Sequence, residues 1–237
     1  MNSLNLPGLA RPIWAALTTR QAHLGQGDSH ARRYHPEVAP FAATADDTPA
    51  SYQALHRLLQ ADEQVALLSA EPVVPIDGLR AHPVGVIHQM AATRARSSTG
   101  DGSALTDDHE VIPLSHADAS AMLELTQKTK PGPFGKRTHE MGRYIGVREH
   151  GRLIAMAGER MQLDGYVEIS AVCVDDDWRG KGFAARLVTA LRDDIERRGA
   201  TPFLHVLADN HAAIGLYERL GFELQRKFLL TRLSRAD

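Results

Sequence analysis

Between Tyr166 and Arg198 the chain changes its hydrophobic period, and this change limits the folds open to it. Tyr166-Val-Glu-Ile-Ser-Ala-Val-Cys-Val174 is short, apolar and β-branched, which predicts a strand. Asp175-Asp-Asp-Trp-Arg-Gly-Lys-Gly182 then interrupts it. From about Gly180 to Arg198 the apolar residues Ala184, Leu187, Val188, Leu191 and Ile195 recur at helical spacing, and Gly199 ends the run. A buried strand followed at once by an amphipathic helix is an α/β unit, and it excludes all-helical and all-strand folds.

The flanking segments extend the pattern. Strands are predicted at Val111–Leu114, Arg143–Glu149, Leu153–Met161, Pro202–Leu207 and Phe222–Leu233, and helices from Ser115 and over His211–Leu220. The resulting order is β-α-β-β-β-α-β-α-β, an α/β (α+β) domain. Lys130-Pro-Gly-Pro-Phe-Gly135 must be a loop, since its prolines and glycines forbid regular structure. Upstream the pattern is weaker. A helix is expected over Trp14–Leu24, another after the Thr48-Pro49 start, and strands at Gln64–Ala70 and Gly85–Met90. Thr93 to His109 is rich in Ser, Thr, Gly and Asp and cannot join a core. The expected organisation is an N-terminal lobe over 1–92, a linker over 93–108 and a second domain over 109–237.

Composition excludes several function classes. With 27 Lys+Arg against 29 Asp+Glu, the formal charge is −2, which argues against a nucleic-acid binder. A single cysteine, Cys173, rules out an internal disulfide framework and fits a reducing compartment. No apolar run reaches the roughly 18 residues of a membrane span. The N-terminus lacks a basic segment before a long apolar run, so no secretory signal is expected and a cytoplasmic location is. Five of the cations are lysines and the rest arginines, which with many alanines suggests a GC-rich bacterial genome.

Arg179-Gly-Lys-Gly-Phe-Ala184 carries the most chemistry. Glycines let a backbone approach a ligand, and the first amides of a helix have no intrahelical acceptor. Such a terminus takes a phosphate or pyrophosphate, and Arg179 and Lys181 add positive charge. A tight turn before a helix accounts equally well for the glycines alone. A P-loop is excluded because no G-x-x-x-x-G-K-[ST] occurs. Gly180-x-Gly182-x-x-Ala185 fits a dinucleotide fingerprint in form, with Asp209 beyond the next strand. Asp175, Asp176, Asp177 and Trp178 intervene after the strand, however, and too little chain follows for a doubly wound sheet. No G-x-S-x-G is present, and Arg143 stands where a second ligand of an H-E-x-x-H zinc motif beginning at His139 would be, so no metal is expected.

Glu168-Ile-Ser-Ala-Val-Cys-Val174, Arg179-Gly-Lys-Gly-Phe-Ala184, and Asn210 with Leu216-Tyr-Glu-Arg-Leu-Gly-Phe222 together resemble the GCN5-related N-acetyltransferase (GNAT) superfamily. The resemblance spans about His109 to Leu233. The weakly patterned first half resembles FR47-type members, in which a degenerate lobe precedes the catalytic domain. It implies a mixed central sheet flanked by helices, and acetyl-CoA-dependent transfer to a primary amine by direct attack in a ternary complex. It also implies that the backbone at Val172, Cys173 and Val174 pairs with the pantetheine arm. Amides of Arg179, Gly180, Lys181, Gly182, Phe183 and Ala184 would hold the pyrophosphate, and Asn210 would bond the pantetheine. Tyr217 would supply a proton to the departing thiolate, and Glu168 would be the base, its pKa raised by a partly dry strand site. Arg137, Thr138 and His139 are candidate acceptor contacts. The acceptor is a small-molecule or peptide amine, and homodimerisation stays open. Core packing is the competing role for Tyr217, and for Cys173 a buried small residue rather than a nucleophile. A non-catalytic acyl-CoA sensor and an NAD-dependent oxidoreductase remain as alternatives.

Overall fold

The computed structural model describes residues 7–74, 76–93 and 109–236. The first half forms α1 (Pro12–Thr18), β1 (Gly25–Gly27), β2 (Ala31–Tyr34), β3 (Ala42–Thr44), α2 (Pro49–Leu58), β4 (Gln64–Ser69) and β5 (Leu79–Ala92). The second forms β6 (Ile112–Leu114), α3 (Ala119–Thr129), β7 (Tyr144–Glu149), β8 (Arg152–Leu163), β9 (Tyr166–Val174), α4 (Phe183–Arg197), β10 (Thr201–Leu207), α5 (His211–Arg219) and β11 (Phe222–Arg235). β1–β3 make a small sheet. All other strands share one sheet in the order β4-β11-β5-β10-β9-β8-β7-β6. Its ladders are antiparallel except β9–β10, so the sheet is mixed.

The two halves of the chain meet inside this sheet. β5 lies between β10 and β11 and is hydrogen-bonded to both. β4 in turn covers the outer edge of β11. The expected linker lies, apart from Thr93, outside the described residues.

Each face of the sheet is covered by apolar side chains brought there by the helical period. On one face α4 buries Phe183, Leu187, Val188, Leu191 and Ile195 against Ile154, Val167, Ile169 and Leu204. Truncating a side chain this enclosed costs about 2 to 5 kcal/mol. On the other face the first half packs Leu9, Ile13, Leu17, Tyr34 and Phe41 against Met141, Met161, Leu163 and Phe203.

Several expected boundaries shift for local reasons. α4 starts at Phe183 rather than near Gly180, because Gly180 and Gly182 hold φ of +77° and +82°. That left-handed backbone cannot continue a helix. α1 ends at Thr18, short of the helix expected to reach Leu24. Beyond it, the Gln21 side chain leaves the helical path and donates to the carbonyls of Met141 and Arg160, at 2.8 and 2.7 Å. β5 runs well past Gly85–Met90, since β11 pairs it along its whole length.

Candidate active site

β9 and β10 are parallel neighbours over three residue pairs only, the last being Phe203 with Glu168. Beyond that point β10 stays with β5 and β9 with β8, so the two strands splay and expose backbone edges. A bulge in β9 adds to the opening, with Ala171 at φ +51° and a shifted register against β8. The splay opens into a cleft of about 1160 Å³.

Val172, Cys173 and Val174 line this cleft, as do Arg179, Gly180, Gly182, Phe183, Ala184, Asn210 and Tyr217. Among the described residues, the amides from Gly180 to Ala185 have no acceptor; the first helical bond of α4 is Arg186 to the Gly182 carbonyl, 3.1 Å. A Cβ on Gly180 or Gly182 would point into open space, so the loop is a free concave seat rather than a packed turn. This donor array suits the phosphates of a nucleotide-type cofactor. Lys181 is not part of the lining; its ammonium lies over the Trp178 ring, 4.0 Å from the centroid. Arg179 pairs with Asp176 at 2.8 Å. Asp175 turns away to Lys128 at 2.8 Å and to Arg152, and caps the turn at Asp177 rather than the start of α4.

Tyr217 is half-buried in α5, edge-on to Phe222, and its hydroxyl has no hydrogen-bond partner among the described residues. Burial pushes its phenol up to about 12, so it stays protonated at neutral pH. Asn210 begins α5, where its Oδ1 accepts from the Ala213 amide at 3.1 Å. Cys173 is buried among Met122, Leu125 and Tyr144, and burial lifts its thiol to about 11. A neutral buried thiol is no nucleophile.

Glu168 corrects the sequence-based expectation. It is fully buried and does not line the cleft. Its Oε2 accepts from Arg160 Nε at 2.9 Å, and Oε1 takes a second guanidinium bond. His205 Nδ1 lies 2.8 Å from Oε1, and the Met161 amide donates at 3.2 Å. Burial pushes the carboxyl up, but the charges and bonds of Arg160 and His205 outweigh it and hold the pKa well below the carboxylate range. The raised pKa needed by a base is therefore absent. Glu168 instead anchors Arg160 and His205, and those two side chains do line the cleft.

Arg137, Thr138 and His139 are a second correction, for none of them lines the cleft. Arg137 pairs with Glu140 at 2.7 Å, and His139 Nε2 sits 2.8 Å from His116 Nδ1. Buried Thr138 donates to the Val38 carbonyl, and the Arg137 amide donates to Glu37 at 2.9 Å. The segment is docked on the first half of the chain. Gly135 permits that approach, since a Cβ there would come within 2.5 Å of the Glu37 carbonyl. Only the earlier part of the loop, Lys130 to Pro133, reaches the cleft.

The remaining wall escaped the sequence reading. It comes from Phe41, Ala66, Leu68 and Ile87 of the first half, with Arg160 and Arg232. One signal was available. Arg160 lies within a mostly buried strand, and Glu168 follows eight residues later across the β8–β9 turn, where a paired charge is expected.

The FR47-like protein family matches residues 144–230. The chain is 32% identical over 133 residues to the [Ribosomal protein bS18]-alanine N-acetyltransferase of Escherichia coli strain K12, covering 52% of this chain and 89% of that one. N-alpha-acetyltransferase RimI of Mycobacterium tuberculosis is 32% identical over 139 residues, with 52% and 85% covered. The crystal structure of an acetyltransferase assigned to the GNAT family from Novosphingobium aromaticivorans superposes with a TM-score of 0.85 at 37% identity, covering 97% of this chain and 99% of that one. A similarity that runs through both halves, with the splayed sheet and open glycine loop already described, shows that the chain belongs to the GCN5-related N-acetyltransferase family and carries an FR47-like domain.

Proposed function

We propose that the chain moves an acetyl group from acetyl-CoA to the amine of an acceptor by direct attack within a ternary complex. The observation that carries this is the row of unpaired amides from Gly180 to Ala185, set at the mouth of the β9–β10 splay. The amides of that loop would hold the pyrophosphate, helped by the positive end of α4 and by Arg179. The exposed edge of β9 at Val172–Val174 and the Asn210 side chain would take the pantetheine amides. When bound, acetyl-CoA supplies an activated acyl group on a thiol that leaves well.

Tyr217 is the residue placed to assist departure. A thiolate of pKa near 8.5 accepts a hydrogen bond or proton from a phenol that is itself protonated. The acceptor must arrive as a neutral amine, and the Glu168 carboxylate is not positioned to deprotonate it. Glu168 fixes the Arg160 guanidinium at the acceptor end of the cleft instead. The relatives named above are described as a ribosomal protein bS18-alanine N-acetyltransferase and an N-alpha-acetyltransferase, which supports a polypeptide or amino-acid amine as acceptor and a cytoplasmic setting.

Gly180→Asp tests the cofactor seat. A carboxylate aimed into the open side of the loop would repel phosphate, so CoA affinity should fall at least tenfold while the thermal transition survives. Titration calorimetry with CoA measures it. Unchanged affinity in the folded variant would falsify the seat, and CoA binding without thiol release on any amine would leave a sensor rather than an enzyme.

A further inference from the structure

The cleft has a charge pattern that discriminates among amines. Five cationic side chains line it, Lys130, Arg160, Arg179, Arg219 and Arg232, and among the described residues no carboxylate does. The chain as a whole has no such excess, for its acids slightly outnumber its bases. Arg179 and Arg219 lie with the α4 loop and α5, where phosphates account for them. Arg160 and Arg232 lie on the opposite wall, where the proposed cofactor gives them no partner.

Those two arginines belong to one continuous surface. Arg160 stacks over the Phe41 ring, 5.0 Å from its centroid. Phe41 bridges to Ala66, and Ala66 is the direct cross-strand partner of Arg232. Arg160 is 9% exposed, and Glu168 takes its Nε and Nη2, leaving Nη1 without a partner among the described residues. A guanidinium held along one edge by Glu168, in a residue that lines the cleft, is a fixed donor with its other edge open to an acceptor. Arg232, exposed on β11, also has no partner among the described residues.

We propose that the acceptor is an α-amine whose own side chain ends in a carboxylate, and that Arg160 and Arg232 hold that side-chain carboxylate. This rests on the acetyltransferase reading above and narrows it. Arg160 fixes the anion at depth, through a guanidinium that Glu168 keeps from turning. Arg232 adds charge at the rim. Polyamines and aminoglycosides, which are polycations, would meet two arginines and no acid, and are rejected by like charge. Two sources share the accepted chemistry: a free acidic amino acid, and a polypeptide that begins with Asp or Glu.

The experiment is steady-state acetylation by the full chain with matched acceptors. Peptides beginning with Asp or Glu are compared with their Asn and Gln counterparts, free glutamate with free glutamine, and both sets with spermidine and kanamycin. The acidic member of each accepting pair should have a kcat/KM roughly 10- to 100-fold higher, the worth of a charged hydrogen bond. The polycations should give no transfer. Which pair responds distinguishes the free amino acid from the polypeptide. Arg232→Glu should raise KM for the acidic acceptor at least tenfold and leave KM for acetyl-CoA unchanged. Arg160→Lys should do the same if it folds; Arg232, being exposed, keeps the test open if it does not. Equal rates for acidic and neutral members, or efficient transfer to spermidine, overturns the proposal while the acetyltransferase reading stands. No transfer to any amine, with CoA still bound, removes both.

Discussion

The two walls of the cleft are built by different means. On the α4 side the contacts offered are main-chain amides, presented by left-handed glycines and a helix start. On the opposite side they are side chains, Phe41, Arg160 and Arg232, drawn from three segments far apart in the sequence. Main-chain presentation needs particular residues at fixed local spacing, so it leaves a motif. Side-chain presentation needs only that tertiary packing bring suitable residues together, so it leaves none.

The largest effect expected from this contrast concerns the halves of the chain. The motif-bearing half does not close its own sheet, because β5 separates β10 from β11. Residues 109–237 expressed alone would expose one edge of β10, both edges of β11 and the apolar face that buries Met161, Leu163 and Phe203. The expected result is an aggregated or unfolded fragment with no cooperative thermal transition, restored by co-expression of residues 1–92. A soluble fragment that melts cooperatively and binds CoA would break the comparison, by making the first half an accessory.

Next in size is Tyr217→Phe, which removes one hydroxyl from the wall that otherwise works through its backbone. Because nothing else in the described structure bonds that hydroxyl, its loss leaves packing against Phe222 intact. We expect kcat to drop by about 10² to 10⁴ with acetyl-CoA affinity unchanged. Full activity would assign Tyr217 to the core alone.

This division also explains which parts were readable in advance. β9 was anticipated to the residue, since its apolar run stops at the triple aspartate. α4 follows from its helical stripe, and α5 falls within the helix expected over His211–Leu220. β1 to β3 were not anticipated, being three or four residues long, with Gly25 and Gly27 in the first. They exist through pairing, not propensity. Nothing local marks the segment Arg137–His139 as turned away from the cleft. Its docking on Glu37 and Val38 depends on contacts across about a hundred residues.

Glu168→Gln should have a smaller but diagnostic effect. Removing the charge leaves the buried Arg160 uncompensated, at a cost of about 3 kcal/mol near neutral pH. The folded carboxyl titrates below its unfolded value of about 4.3. Its stabilisation is therefore complete above roughly pH 5 and is lost as the pH falls through the folded value. Denaturant melts of wild type and Glu168→Gln should differ most at neutral pH and converge in acid. The acidic limb of kcat/KM should follow the acceptor amine and persist in the variant. A limb that vanishes with Glu168→Gln would restore the carboxylate as base.

The smallest effect falls in the loop that matters most. Lys181 occupies the centre of Arg179-Gly-Lys-Gly182, where a positive side chain invites assignment to the phosphates. Its ammonium is instead directed to the face of Trp178, and Lys181 does not line the cleft. A cation–π contact at an exposed site is worth about 0.5 to 1 kcal/mol. Lys181→Ala should therefore lower stability by no more than that, and weaken acetyl-CoA binding less than about threefold by long-range charge alone. Gly180→Asp, one residue away, should abolish most of the binding. If the two substitutions weaken CoA equally, the seat is made by side-chain charge, and the distinction between the two walls fails. A wide gap between them in titration calorimetry, persisting at high salt, means that the α4 wall binds through its amides, with the identity of residue 181 free to vary.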